Sequence, residues 1–336
     1  AFIFVNLFLT IHYIMKKLYL LIAFYLLVFN VQAQFTIEKI HFESANPYSF
    51  NDIITDLDKQ DKQEVFGELV IPQDSTDNEK KYPLIIGVAG SLGWGEHHYK
   101  YLEMYQEMGI ATFELNSFKS RSITSTVGTQ NEITMAAMIL DAYRAFEVLA
   151  EHPRIDKNKV SITGWSLGGG VTLFSAWLPL KEAINKELSF ASHLAFYPPC
   201  FIDPDNTDFS QSPIHILIGE LDNWTPSAPC SDLVNKLSSK TNISLTIYED
   251  SYHSFDRDAP VIRDENAYNF SDCIFRLDEK GNVLMNYLNI PMSNPFLQKI
   301  GFVMCVTRGV DFGGNPQARE KSFDFSKEFM KKTLLN

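Results

Sequence analysis

Eight short runs of strand-forming residues recur along this chain, and most are apolar from end to end: FTIEKIHF (35–42), EVFGELVI (64–71), PLIIGVA (83–89), IATFEL (110–115), KVSIT (159–163), HLAFY (193–197), PIHILIG (213–219) and ISLTIY (243–248). A strand without a polar face must be covered on both sides. The cover is supplied between the runs, where HYKYLEMYQEM (98–108), residues 131–152, the stretch after Ser166, SDLVNKLSS (231–239) and SFDFSKEFMKKTLL (322–335) carry helical spacing. This alternation predicts an α/β protein with a doubly wound, mostly parallel sheet of about eight strands flanked by helices. The first two runs, joined by a polar loop, are expected to open the sheet. In such a sheet the reactive loops lie beyond the carboxyl ends of the strands, so chemistry is to be sought just after each run.

The amino-terminal stretch stands outside this pattern. Met15-Lys16-Lys17, the apolar LYLLIAFYLLVF and then Val31-Gln32-Ala33 have the basic start, short apolar core and small-residue cleavage site of a secretory signal, with cleavage expected after Ala33. The apolar core is shorter than the ~20 residues of a spanning helix, so a cleaved signal is expected over a membrane anchor. Residues 1–14 precede the first methionine and are expected to play no part in the fold. Residues 34–336 then form a single domain, in a secreted or periplasmic location. Residues 1–33 contain Lys16 and Lys17 and no acids, so their removal carries the formal charge from −12 to −14. Such a surface disfavours nucleic acid and anionic membrane as partners.

Residues 257–312 break the rhythm. CIFRLDEKGNVLMNYLN reads there as a hairpin or loop insertion turning at Lys280-Gly281-Asn282. Four cysteines, an even count, suit an exported chain with two bridges. Cys200 and Cys230 both leave the ends of strands expected to be neighbours, so they are expected to pair. That leaves Cys273 with Cys305 to close the insertion.

The pentapeptide Gly164-Trp165-Ser166-Leu167-Gly168 fits G-x-S-x-G and lies directly between KVSIT and a run able to start a helix. That context is a nucleophile elbow, a strained strand-to-helix turn that presents a serine hydroxyl. Serine is a weak nucleophile near neutral pH and needs a general base, which needs an orienting carboxylate. On this architecture the expected order is serine, acid, histidine. Asp222 follows PIHILIG and His253 follows ISLTIY, so both sit where a strand would deliver them. Asp250 and Asp256 are nearer to His253 in sequence, but a loop neighbour is not thereby placed behind the imidazole. His97 and His98 read as structural or rim residues. For the oxyanion, one donor is expected from the amide of Leu167 and the second from Ser91 or Leu92, in the Gly90–Gly93 loop after PLIIGVA.

GWSLGG, GELDNWTP and YHSFD, with NSFKSR at 116–121, together resemble the dienelactone hydrolase family of α/β-hydrolases, over roughly residues 64–335. The resemblance implies an α/β-hydrolase fold, Ser166, Asp222 and His253 as catalytic triad, and no cofactor. Arg121 resembles the arginine of the family's D-S-F-x-x-R-G-like segment, here with Asn116 and Ser122 in place of Asp and Gly. It either holds a substrate carboxylate or pins its own loop by bonding carbonyls. Trp165 and Trp224 are the other residues expected to contact substrate. The family's namesakes use a cysteine nucleophile helped by a glutamate in the oxyanion loop, whereas this chain has Ser166 and reads AGSLGWG at 89–95. Dienelactone itself is therefore not the expected substrate.

The expected activity is hydrolysis of small-molecule carboxylic esters. Two other readings compete: a peptidase, since GWSLGG also resembles the catalytic domain of prolyl-oligopeptidase-type enzymes, and a binding protein on a retired hydrolase scaffold. The histidines lack H-E-x-x-H or clustered spacing, so no metal is expected.

Overall fold

The computed structural model describes residues 12, 15–17, 35–72, 79–286 and 288–336. The expected leader lies, apart from His12 and Met15–Lys17, outside the described residues. Among the described residues no helix is long and apolar enough to cross a membrane. The body treated below runs from Thr36 to Asn336.

In chain order the elements up to the elbow are β1 (Phe35–Ala45), α1 (Phe50–Asp56), β2 (Lys62–Pro72), β3 (Tyr82–Val88), α2 (Glu96–Glu107), β4 (Ala111–Leu115), α3 (Met135–Ala150), β5 (Ile155–Trp165) and α4 (Leu167–Phe174). There follow α5 (Leu178–Ile184), β6 (His193–Phe196), β7 (Ile202–Pro204), β8 (Ile214–Gly219), α6 (Ser227–Leu237) and β9 (Ile243–Tyr248). The chain closes with β10 (Ile262–Asn269), β11 (Phe275–Leu277), β12 (Val283–Leu284), α7 (Pro295–Val303), β13 (Thr307–Phe312) and α8 (Pro316–Met330).

All eight apolar runs enter one sheet, in the order β1-β2-β4-β3-β5-β6-β8-β9. β2 runs antiparallel to β4, and every pair from β4 through β3, β5, β6 and β8 to β9 is parallel. This is the α/β-hydrolase architecture. The central strands read as continuous apolar runs because helices cover both faces: Ile85, Ile86, Phe113, Ile162, Phe196 and Ile216 are fully buried. The edge strand β1 alternates exposed and half-buried positions over most of its length.

After β3 the chain first steps outward to β4 and then crosses back to β5, so growth of the sheet reverses between β3 and β5. Loops leaving the carboxyl ends of those two strands diverge and leave a crevice between them. The loop at Gly90 and the turn at Ser166 both open there.

The polar link expected between the first two strands holds a helix. Ser49 caps α1 by accepting from Asp52 N, and the Asp52 carboxylate accepts from Ser49 N, a reciprocal cap that stabilises even a seven-residue helix. α8 starts six residues ahead of the helical pattern at 322, because Asn315 caps the amides of Gln317 and Ala318 and Pro316 occupies the first turn.

Both expected disulfides are present, Cys200–Cys230 and Cys273–Cys305, with Cα separations of 4.9 and 5.2 Å. The irregular segment pairs within itself and, through one strand, with the body. β10 pairs antiparallel with β13, β11 pairs with β12 across a turn at Gly281, and β11 also lies parallel to β7.

Candidate active site

Ser166 has φ 56° and ψ −116°, a conformation that side-chain-bearing residues avoid at a cost of about 1–3 kcal/mol. Three backbone features hold it there. Ser166 N donates to Phe196 O at 2.9 Å, and Gly170 N donates to Ser166 O at 2.9 Å. The flanking glycines let neighbouring chain come in close: a β-carbon on Gly164 would lie 2.2 Å from Gly168 O, and one on Gly168 would lie 2.1 Å from Val88 O. Both glycines of the motif are thus required by contact distance.

The Ser166 hydroxyl lies 2.9 Å from His253 Nε2, and His253 Nδ1 lies 2.7 Å from Asp222 Oδ2. With Nδ1–H donating to the carboxylate, Nε2 is the acceptor for the serine proton. Asp222 is fixed in turn: its Oδ1 accepts from the amides of Trp224 (2.9 Å) and Thr225 (2.8 Å). The Thr225 hydroxyl stands 3.0 Å from both Asp222 Oδ2 and His253 Nδ1. His253 and Asp222 are buried, so this chain of bonds is sheltered from competing water.

The His253 loop is held from behind by the end of β13. Gly313 N donates to His253 O at 2.9 Å, and His253 forms an isolated parallel bridge with Phe312. Trp224 packs on the imidazole at 4.9 Å and on Phe312 at 5.6 Å.

The other two carboxylates have different places. Asp250 is exposed, and Asp256 is fully buried but accepts from Tyr197 OH (2.9 Å) and Trp165 Nε1 (3.1 Å) instead of the imidazole. Asp256 and Tyr197 are site residues that motif reasoning passes over, since nothing in their spacing marks a bond across 59 residues. Tyr197 packs edge-on to His253 at 4.6 Å, and burial, with Asp256 adding to it, raises its phenol well above the usual range. It therefore stays a hydrogen-bond donor.

Arg121 has the second of the two roles expected for it and pins its own loop. Arg121 forms a two-point ion pair with Asp141 (2.7 and 3.0 Å) and donates to the carbonyls of Ser117 and Ala45. Its side chain is 7% exposed, and it lines neither cavity beside Ser166. The planar fork is satisfied inside the protein, so Arg121 ties the loop after β4 to α3. Of the other expected contacts, Trp165 turns its ring inward between His98 (4.5 Å) and Phe196 (5.3 Å), is fully buried, and borders only the smaller of the two cavities beside Ser166. Trp224, by contrast, lines both cavities.

In the loop after β3, Gly93 N donates to Gly90 O at 2.9 Å, which makes Ser91 and Leu92 the central residues of a tight turn. A β-carbon on Gly90 would come 3.2 Å from Ser166 Cβ, so this turn abuts Ser166. Ser91 is buried and lines both cavities, whereas Leu92 is 48% exposed and lines one. Leu167 opens α4, where the first amides of a helix have no partner within it. His97 and His98 are buried with rings 3.8 Å apart, and burial lowers the basicity of both. Among the described residues no three His, Cys, Asp or Glu side chains gather as a metal site would require.

No curated protein matches the chain. Solved structures that share its fold include the following two. P91, a dienelactone hydrolase-like promiscuous phosphotriesterase from metagenomic libraries, is 14% identical, with a TM-score of 0.50 and coverage of 89% of this chain and 98% of its own. A structure named m3DLH is 12% identical, with a TM-score of 0.55 and coverage of 90% and 100%. A model of the dienelactone hydrolase family matches residues 103–272, half of the chain and the part that holds the elbow, Ser166, Asp222 and His253. On that match the chain belongs to the dienelactone hydrolase family.

Proposed function

We propose that this protein is a serine hydrolase that cleaves carboxylic esters through an acyl-Ser166 intermediate. The observation that carries the reading is the unbroken relay from the Ser166 hydroxyl through His253 to Asp222, at 2.9 and 2.7 Å, on an elbow held in a strained conformation. Ser166 Oγ attacks the ester carbonyl carbon while His253 Nε2 takes its proton. The C–O bond to the alcohol then breaks, and the same proton passes from Nε2 to the departing oxygen. Water, activated by the freed imidazole, repeats the sequence and releases the acid. Asp222 holds the imidazole in the right tautomer and stabilises its transient positive charge. The tetrahedral oxyanion is assigned to the amides of Leu167 and Ser91, the latter preferred over Leu92 because it is the buried member of the turn against Ser166.

Residues 34–336 are proposed as one hydrolase domain with residues 257–312 inserted into it. The protein is proposed to be exported to a secreted or periplasmic location, which the signal-like residues 15–33 and the two disulfides support.

The test is labelling by a fluorophosphonate together with hydrolysis of p-nitrophenyl esters. Wild-type protein is expected to be labelled and active, and folded Ser166→Ala to be neither. Wild-type protein inert to both reagents, or Ser166→Ala with full activity, overturns the proposal and leaves a binding protein on a hydrolase scaffold.

A further inference from the structure

Ser166 stands between two cavities of different size and chemistry. The larger is about 160 Å³ and the smaller about 70 Å³. Among the described residues no Asp, Glu, Lys, Arg or His side chain lines the larger one. Its wall is dominated by aromatic rings, including Phe201, Phe270, Phe275 and Phe302. Phe201 and Phe270 stack at 4.6 Å, and Phe302 meets Phe270 edge-on at 5.3 Å. Uncharged polar groups, among them Gln130, Thr134 and Gln298, also line the larger cavity, whereas the smaller one carries the basic groups His253, His97 and Arg257.

The position of His253 decides which part of an ester enters which cavity. The departing oxygen must receive its proton from His253 Nε2, so the leaving group has to lie on the imidazole side of Ser166. His253 lines the smaller cavity and not the larger, whereas Leu167, at the start of α4, lines the larger and not the smaller. The acyl group, which stays on Ser166 Oγ when the alcohol departs, therefore faces the larger cavity.

Its size and lining limit what that group can be. An apolar cavity of about 150 Å³ holds one benzene ring, so this one takes a single ring on a short linker, or an aliphatic group of similar bulk. A carboxylate or ammonium on the acyl group would lose water there and meet no opposite charge on the wall, which disfavours binding.

Much of the wall comes from the irregular segment after His253: Phe270, Phe275, Val283, Met292, Gln298 and Phe302. Phe270 and Phe302 each stand three residues before a cysteine of the Cys273–Cys305 bridge, and each accepts a backbone bond from that cysteine, at 3.0 and 3.1 Å. The bridge thus holds two facing rings of the cavity in register.

We propose that the larger cavity is an acyl pocket, walled in part by Phe270, Phe275, Val283 and Phe302, that selects esters of uncharged, ring-sized acyl groups. This rests on Ser166 being the nucleophile, and the experiment separates the two. p-Nitrophenyl acetate, phenylacetate, dodecanoate and hemiglutarate share one leaving group and differ only in the acyl part. Phenylacetate is expected to exceed acetate and dodecanoate at least tenfold in kcat/KM, and hemiglutarate at least a hundredfold. Val283→Phe, which fills the cavity from β12, is expected to lower the phenylacetate-to-acetate ratio at least tenfold, and Ala136→Leu, from the opposite wall, to do the same should the first variant not fold. In a series of phenylacetate esters with different alcohols, both variants are expected to leave the ranking of alcohols as in wild type. Protein that is labelled by fluorophosphonate and hydrolyses acetate, yet accepts hemiglutarate as well as phenylacetate, overturns the acyl pocket alone. So do variants that reorder the alcohols and leave the acyl ratio unchanged. Wild-type protein inert to label and to every ester overturns the nucleophile assignment, and the pocket assignment with it.

Discussion

Gly168 lies so close beneath the end of β3 that a β-carbon on it would sit 2.1 Å from the carbonyl oxygen of Val88. Backbone cannot swing aside as a side chain can, so Gly168→Ala must displace either the elbow or β3. Overpacking of a tight site costs about 1–3 kcal/mol and occasionally more. The expected outcome is a loss at the upper end of that range in thermal or denaturant unfolding, with ester hydrolysis abolished. Gly128→Ala is the control, since nothing lies within 4 Å of a β-carbon there. It is expected to change stability by less than ~0.5 kcal/mol.

Asp222 and Asp256 are both buried carboxylates near the imidazole, but only Asp222 bonds to it. Asp222→Asn is expected to lower kcat by about 10⁴, since an amide favours the wrong tautomer of His253. Asp256→Asn, which preserves shape and changes only the bonds to Tyr197 and Trp165, is expected to cost less than a tenth of that effect. A larger loss from Asp256→Asn than from Asp222→Asn in steady-state kinetics refutes the assignment of the orienting acid.

Arg121 and Asp141 form an ion pair with almost no exposed surface. Arg121→Ala leaves the Asp141 carboxylate buried without its counter-ion, a change expected to cost about 3–5 kcal/mol in denaturant unfolding. The double variant Arg121→Met with Asp141→Leu is expected to recover most of that loss. At a temperature where Arg121→Ala stays folded, KM for a neutral ester is expected to match wild type. A KM raised tenfold or more with unchanged stability would return Arg121 to the substrate.

His193, in β6, is buried with no partner for either ring nitrogen among the described residues, and burial pushes its pKa from 6.5 down to about 3. Above pH 6.5 both the folded and the unfolded chain hold this ring neutral. Below that the unfolded chain takes up a proton that the folded one refuses, so stability falls with pH until the folded ring titrates. At pH 5 the penalty is about 2 kcal/mol relative to pH 8. His193→Phe is expected to remove that part of the acid destabilisation, seen as a smaller difference in Tm between pH 8 and pH 5. An unchanged difference would show that His193 is not the group responsible. Part of the slope is expected to persist, because burial also lowers His215 to about 4.

The strands of the main sheet are legible because their apolar runs have one physical explanation, burial on both faces, and the order of Ser166, Asp222 and His253 is legible because each directly follows such a run. The Cys200–Cys230 bridge follows from strand adjacency in the same way, and Cys273–Cys305 is the pair that remains. The fate of Arg121 is not legible, since its partner lies on α3, twenty residues on, and no periodicity marks an ion pair between elements. β10 reads IRDENAYN, a polar sequence whose strand character comes from pairing with β13 about forty residues later. α7 opens with Pro-Phe behind an Asn294 cap and is only nine residues long, short enough to be masked by the loops around it. Local pattern reports burial, and these features depend on contacts distant in sequence.

The backbone bond from Gly313 to the carbonyl of His253 joins positions some sixty residues apart, and it fixes the loop that carries the imidazole. Closing a chain of that length costs entropy that local contacts cannot offset early in folding. The sheet and the elbow can therefore form while His253 is still unanchored. A chain emerging from the ribosome is expected to leave the loop of His253 without this anchor until the end of β13 has been synthesised, however well its first strands have already packed.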